Sequence, residues 1–357
     1  MQVPMLSAAE AVDKIIHQSD AWRFIDVRSE GEWEKAASPG FKNLPLLNDV
    51  ERHLVGIKYK NKGQDEAIKL GEELVGPHLD LRLKAWVDTA DGCPTVVCCW
   101  RGGMRSGLVA GWLRDNGVEA YTIDGGYKSV RRLYINTVES LPHFFVLSGL
   151  TGVNKTGLLK SCSVFKIDLE GLANHRGSTF GHSLSERQPA QISFENELSF
   201  RLYGKNGPVL VEDESVHIGR IRLPIQVRNR IINDPVIILE ATLEERVDHI
   251  IEEYITQPVE QGFSIDVIRE FTLKNLGRIE RRLGGKLKVE LEHMVLGAFN
   301  KGITREEHGK WIAMLLETYY DPMYLYGLER HKRPVLFQGD FTSCKTWIEK
   351  TMENPSA

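Results

Sequence analysis

Short apolar runs punctuate this chain, and between them apolar residues recur every three or four positions. The runs are Thr95-Val96-Val97-Cys98, Phe144-Phe145-Val146-Leu147, Pro208-Val209-Leu210-Val211, Val236-Ile237-Ile238-Leu239 and Pro334-Val335-Leu336-Phe337. Their length and continuity predict buried strands, with Val164 to Ile167 as one more. Gly107 to Leu113, Leu243 to Ile255 and Val267 to Leu276 carry the helical period. Strands alternating with helices predict an α/β chain. A connecting stretch from Leu133 to about His143 precedes the run at Phe144, where a second series begins. Two α/β domains are therefore expected, 1–135 and 136–357, the second with a helical C-terminal region.

Composition adds constraints. The 357 residues suffice for two domains with separate cores. Hydrophobic content of 42% and charged content of 26% are ordinary for a globular chain. No apolar stretch approaches the roughly 20 residues of a membrane span. Met1-Gln2-Val3-Pro4-Met5 lacks the basic and apolar regions of a signal peptide, so a cytoplasmic protein with no membrane partner is expected. Cys93, Cys98, Cys99, Cys162 and Cys344 show neither metal-ligand spacing nor a disulfide framework. The net charge of −4 does not mark a nucleic-acid binder, but basic residues cluster locally. Lys58, Lys60 and Lys62 alternate, and Lys128, Arg131 and Arg132 follow Gly125-Gly126-Tyr127. Arg278, Arg281, Arg282 and Lys286 surround Gly284-Gly285. If the substrate is a folded RNA, all three clusters are candidate phosphate contacts, the 278–286 cluster first and the 128–132 cluster next.

The run ending at Cys98 leads into Cys99-Trp100-Arg101-Gly102-Gly103-Met104-Arg105-Ser106 and then a helical pattern. A strand, a Gly-containing loop and a helix in this order aim several N–H groups and a helix N-terminus at one point. Such surroundings favour the thiolate, the nucleophilic form of cysteine. Cys99 is the candidate nucleophile. Arg101, Gly102, Gly103, Arg105 and Ser106 form the candidate anion cradle, in which Arg105 suits bidentate binding. Cys98 falls on the other face of the strand.

The second series opens on Gly149-Leu150-Thr151-Gly152-Val153-Asn154-Lys155-Thr156, which resembles a P-loop with Asn154 in place of the last glycine. Asparagine is the next most tolerant residue for left-handed backbone, so the loop is expected to persist. Gly149, Gly152, Lys155 and Thr156 are the candidate diphosphate cradle. Only twelve residues separate Lys155 from Asp168, which leaves room for a helix of about two turns. The 208–211 run ends in Glu212-Asp213-Glu214, as a Walker B strand does. Asp168-Leu169-Glu170-Gly171 leads into Asn174-His175-Arg176-Gly177-Ser178-Thr179-Phe180-Gly181, a strand end feeding a donor-rich loop. His175 and Arg176 are candidate anion contacts, and Asp168 or Glu170 a Mg²⁺ ligand or base. Asp168 and Asp213 are the candidate metal pair.

The Cys99 loop, together with Asp26-Val27-Arg28, Glu30-Gly31-Glu32-Trp33 and Pro39 to Pro45, resembles rhodanese domains. The rhodanese-then-P-loop order and the 168–181 stretch resemble the tRNA 2-selenouridine synthases, a family of selenophosphate-dependent tRNA selenotransferases. So do Gln188 to Asn196, Ile218 to Pro224, Arg281 to Gly285 and Tyr319 to Tyr324. The resemblance covers essentially the whole chain. It implies a rhodanese-like domain followed by a P-loop NTPase-like α/β domain. It also implies conversion of wobble 2-thiouridine to 2-selenouridine in tRNAs for Lys, Glu and Gln. Selenophosphate and geranyl diphosphate are then co-substrates, an S-geranyl nucleoside is the intermediate, and no cofactor is tightly bound unless Mg²⁺. The alternative from another class is a P-loop kinase or NTPase with a regulatory rhodanese module.

Overall fold

Thr95–Cys98, buried along its whole length, is the middle strand of the first of two five-stranded sheets in the computed structural model. The structure describes residues 3–178, 180–181, 184 and 187–353, so Thr179 lies outside the described residues. The chain forms two units, Met1–Ser140 with Ala190–Tyr203, and Leu141–Pro189 with Gly204–Ala357. The sequence places the junction at 135/136, whereas the units part at Ser140 and Ala190–Tyr203 returns to the first.

In the first unit β1 (Met5–Leu6), β2 (Arg23–Asp26), β3 (Lys42–Asn43), β4 (Thr95–Cys98) and β5 (Ala120–Ile123) are parallel, in the order β1-β5-β4-β2-β3. Alternation along β4 sends Val97 and Cys99 into one core and Val96 and Cys98 into another. Helix starts are written locally. Ser7 with Glu10, Ser29 with Glu32 and Asn48 with Glu51 form capping boxes that satisfy first-turn N–H groups. The Gln191–Leu202 helix packs on the Gly126–Glu139 helix. Asn196 donates to Tyr127 Oη at 3.0 Å, and Arg131 donates to Asn196 at 2.9 Å and pairs with Glu195.

Two glycines meet back to back beneath the Cys99 loop. Gly102 has φ +65° and Gly126 φ +59°. A Cβ on Gly126 would lie 2.1 Å from Gly102 N and 2.4 Å from Cys99 O. Gly126→Ala should therefore cost about 3 kcal/mol in chemical denaturation, from strained backbone plus the clash. Gly103→Ala should be nearly neutral, since its φ is −98° and a Cβ there meets nothing within 4 Å.

In the second unit the strands are β6 (Phe144–Ser148), β7 (Lys166–Ile167), β8 (Val209–Glu212), β9 (His217–Ile218), β10 (Ile221–Arg222), β11 (Val236–Leu239) and β12 (Val335–Gly339). A parallel sheet runs β12-β11-β6-β8-β7, and β9 and β10 form an antiparallel pair. β6 lies in the middle, so the loop that leaves it opens at the sheet's carboxyl edge, where α/β sheets bind ligands. Helices Ile265–Leu283, Gly285–Lys301 and Arg305–Leu315 surround a core that includes Leu276, Leu291, Val295 and Ile312. Two single π-turns, Glu252–Thr256 and Leu316–Tyr320, interrupt this helical part. Among the described residues no helix is long and apolar enough to cross a membrane.

Candidate functional site

Cys99 sits immediately beyond β4, only 3% exposed, with Sγ 3.2 Å from Ser106 Oγ. The Ser106 hydroxyl also reaches Gly103 O at 3.1 Å. It accepts from the thiol while donating to Gly103, and it is placed to donate to a thiolate instead. Tyr127 N donates to Cys99 O at 2.9 Å and Lys128 N to Trp100 O at 3.2 Å. These bonds hold two of the loop's carbonyls on the next helix, and the Met104–Asp115 helix starts at the loop's end. Arg101 and Gly103 are exposed. Arg105 is already engaged, with Nη1 2.7 Å and Nη2 3.3 Å from the Glu32 carboxylate. Burial works against the charge on Glu32, but bonds from Arg105 and Ser29 outweigh it and hold the carboxyl below its ordinary range. The expected open fork of Arg105 is thus corrected: an oxyanion here must displace Glu32 or share Arg105 with it. Asp26 and Arg28 form a buried ion pair at 2.7 Å, and Arg28 stacks 3.9 Å from the Tyr127 ring centroid. Their role is to brace β2 against the Cys99 loop's supports.

In the second unit Asn154 has φ +68° and ψ +44°, the left-handed conformation its place in the P-loop requires. Its Oδ1 accepts from Gly157 N at 3.1 Å and caps the Lys155–Ser161 helix, which is two turns long. Arg246 Nε donates to Thr151 O at 2.8 Å, and His249 Nδ1 to Gly152 O at 2.9 Å. Asp321 fixes Arg246 through bonds of 3.0 and 2.5 Å. The Arg246 and His249 bonds fix the loop from its carbonyl side, and Val153 N donates within it to Leu150 O at 3.4 Å. Lys155 Nζ rests on Gly149 O at 3.1 Å. A cleft of ≈ 1240 Å³ opens here, lined by Gly149, Gly152, Lys155 and Thr156 and also by His175 and Arg176.

Three carboxyls stand beside the loop, Glu212 and Glu214 buried and Glu170 half-buried. Thr156 Oγ1 lies 2.7 Å from Glu212 and 3.0 Å from Glu170, although its one proton serves only one of them at a time. Burial first, and neighbouring carboxylates second, push Glu212 up to about 8 and Glu214 up to about 7, and raise Glu170 well above the carboxylate range. The expected metal pair does not fit Mg²⁺. Asp213 is bound by Arg333 at 3.1 and 2.5 Å and by Ser148 at 2.5 Å. Asp168 caps the Leu169–Ala173 helix through Gly171 N and pairs with Lys160 at 3.4 Å. Among the described residues no group of three or more His, Cys, Asp or Glu is placed to hold a metal. His175 is buried, and Arg176 binds Glu253 through its side chain at 3.0 Å and its carbonyl at 2.8 Å.

The basic clusters divide. Arg131 is committed to Glu195 and Asn196, so it serves the fold, while Lys128 and Arg132 are exposed. Arg278, Arg281, Arg282 and Lys286 are exposed around the Gly284 corner, where φ is +84°. Arg282 also lines the P-loop cleft. Sequence reasoning missed Glu32, Arg246 and His249, whose partners are distant in sequence. It named Glu212 and Glu214 only as carboxylates at the end of the strand, which stops at Glu212, and gave them no role of their own.

Residues 142–355 match the family described as the tRNA 2-selenouridine synthase AAA domain. The chain is 38% identical over 345 residues to the tRNA 2-selenouridine synthase of Shewanella frigidimarina, spanning 91% of this chain and 94% of that protein. It is 42% identical over 336 residues to the tRNA 2-selenouridine synthase of Alcanivorax borkumensis, spanning 88% and 92%. Among solved structures it is similar to a rhodanese-related protein from Thermoplasma volcanium, at 17% identity and a TM-score of 0.23, over 36% of this chain and 91% of that one.

Proposed function

Because this chain belongs to the tRNA 2-selenouridine synthase family, we propose that it replaces the 2-thio sulfur of wobble uridine by selenium in tRNAs for Lys, Glu and Gln. Selenophosphate supplies the selenium at the selenide level: the Cys99 thiolate takes its phosphoryl group, the P–Se bond breaks to release selenide to the ring carbon, and water then frees phosphate from Cys99. Geranyl diphosphate, bound in the P-loop cleft, first alkylates the sulfur. The observation that carries this reading is a single chain holding both parts: a thiol beside Ser106 at a strand end, and a phosphate loop with Asn154 in left-handed backbone.

The chemistry asks for both. A thiocarbonyl sulfur is a poor leaving group. Its attack on C1 of geranyl diphosphate breaks the C–O bond, releases diphosphate and sheds the ring N3 proton. The alkylated sulfur then departs as geranyl thiolate when selenium adds to the ring carbon. Lys155 and the loop N–H groups neutralise the diphosphate as it leaves. Reduced cysteines suit a cytoplasmic enzyme, and all five are free. The test is mass spectrometry of nucleosides from tRNA incubated with the protein, selenophosphate and geranyl diphosphate. Hydrolysis of ATP dependent on Lys155, with every nucleoside unchanged, would favour a P-loop NTPase instead.

With a net charge of −4, tRNA affinity must come from local positive charge. The exposed Arg278, Arg281, Arg282 and Lys286 carry most of it, with Lys128 and Arg132 next. Deleting one cation that meets a phosphate should flatten the slope of log affinity against log salt by about 0.7 to 0.9. The triple Arg278→Ala, Arg281→Ala, Arg282→Ala variant should lose about two units of slope and weaken different tRNAs about equally. An unaltered slope would place the footprint elsewhere.

A further inference from the structure

Arg105 stands between two negative groups. Its guanidinium rests on Glu32, with Nη1 at 2.7 Å and Nη2 at 3.3 Å from the carboxylate. Burial works against its charge, but Glu32 first and a Cys99 thiolate after it hold its pKa above the ordinary value. The cation therefore already lies within the field of Cys99 while its fork is spent on Glu32.

Three donors surround one oxygen of that carboxylate. Glu32 Oε2 lies 2.7 Å from Arg105 Nη1, 3.1 Å from Ser29 N and 3.8 Å from Arg52 Nε. The Ser29 bond belongs to the capping box and keeps the carboxylate where it is. Arg52 stands just outside hydrogen-bonding distance, and Glu32 is its one ion-pair partner among the described residues. The acidic neighbours on its own helix are engaged elsewhere. Asp49 accepts from Gly31 N at 3.0 Å, and Glu51 accepts from Arg82 Nη2 at 2.7 and 2.8 Å. A cation in the first turn of the Asp49–Lys62 helix also opposes the helix dipole. What Arg52 gains from its place is Glu32.

That second charge matters once Arg105 turns away. The Glu32 side chain is only 14% exposed, so without Arg105 its charge would be poorly hydrated and held by Ser29 alone. The penalty for stranding it would oppose every anion that recruits Arg105. Arg52, 48% exposed on a long side chain, can close the remaining gap to Oε2 while the cap stays intact.

We propose that Glu32 and Arg52 form a charge relay beside the Cys99 loop: Arg105 leaves Glu32 for the phosphoryl oxygens of selenophosphate, and Arg52 takes over the carboxylate it vacates. This rests on the function proposed above and adds how its phosphoryl group is received. Arg52 is a positioning residue here, acting through Glu32 and not on the substrate.

The test uses the full chain carrying Lys155→Ala, so that the P-loop takes no part, with inorganic phosphate as the probe in titration calorimetry. Arg52→Met should weaken phosphate binding by roughly tenfold. It should leave the melting temperature unchanged, since an exposed pair at 3.8 Å adds little to the resting fold. Glu32→Gln should tighten binding by about threefold, because glutamine keeps the capping box but no longer holds Arg105 by charge. Adding Arg52→Met to Glu32→Gln should change nothing further. An unchanged affinity in the Arg52→Met variant overturns the proposal. So does an equal loss in the Glu32→Gln background, which would mean that Arg52 touches the anion itself, and so does a parent chain that binds no phosphate. If the relay appears in phosphate binding while the wild-type chain makes no 2-selenouridine, the functional reading alone fails.

Discussion

Cys99→Ser should abolish selenium transfer, by roughly 10³-fold or more, while tRNA binding and S-geranylation persist. The Cys99 thiolate is the nucleophile that takes the phosphoryl group from selenophosphate, and a serine hydroxyl, un-ionised at neutral pH, does not attack. The geometry favours a clean result. The substitution is nearly isosteric, and Ser106 at 3.2 Å offers the new hydroxyl a partner. Nucleoside mass spectrometry should show S-geranyl-2-thiouridine accumulating and 2-selenouridine absent. Full selenation by the variant would remove Cys99 from the mechanism. Cys98→Ser serves as the control. Cys98 is buried in the opposite core, and burial pushes its thiol up, so serine there costs stability of about 1–2 kcal/mol and little turnover.

Lys155→Ala should weaken geranyl diphosphate binding by roughly tenfold to a hundredfold, because it deletes a charge-assisted contact and removes the positive charge that opposes Glu170 and Glu214. Selenation of a tRNA already carrying the geranyl group should be nearly unaffected, which separates the two half-reactions. A pH dependence follows from the same cluster. Glu212 titrates at about 8 and Glu214 at about 7, against an ordinary 4.5. The folded protein thus keeps protons that the unfolded chain releases. The stability these groups contribute is full below pH 4.5 and is lost as pH rises through about 8. Their ionisation also adds negative charge to the cleft, so titration calorimetry without divalent cations should show geranyl diphosphate affinity falling over that upper range. Glu212→Gln should flatten the profile.

Local chemistry was legible in the sequence wherever a motif is contiguous. The Cys99 loop, the two-turn helix after Lys155 and the left-handed Asn154 follow from residue types a few positions apart. What escaped depends on partners far along the chain. Arg105 reads as an open anion fork until Glu32, 73 residues earlier, is seen to hold it. Asp213 reads as a metal ligand until Arg333, 120 residues later, neutralises it. Arg131 reads as an RNA contact until Glu195 and Asn196 arrive beside it. A charged side chain's role is set by which opposite charge the fold delivers, and spacing along one segment cannot supply that.

The Gln191–Leu202 helix has a consequence for biosynthesis. It buries Phe194, Leu198 and Leu202 and supplies Asn196 to Tyr127, yet it is translated after the P-loop and the 168–181 segment. A nascent chain therefore cannot complete its first unit until residue 203 has emerged from the ribosome. The first unit can still close ahead of the second, but by then Leu141–Pro189 of the second has already emerged and stands without β8, β11 and β12, the strands that complete its sheet.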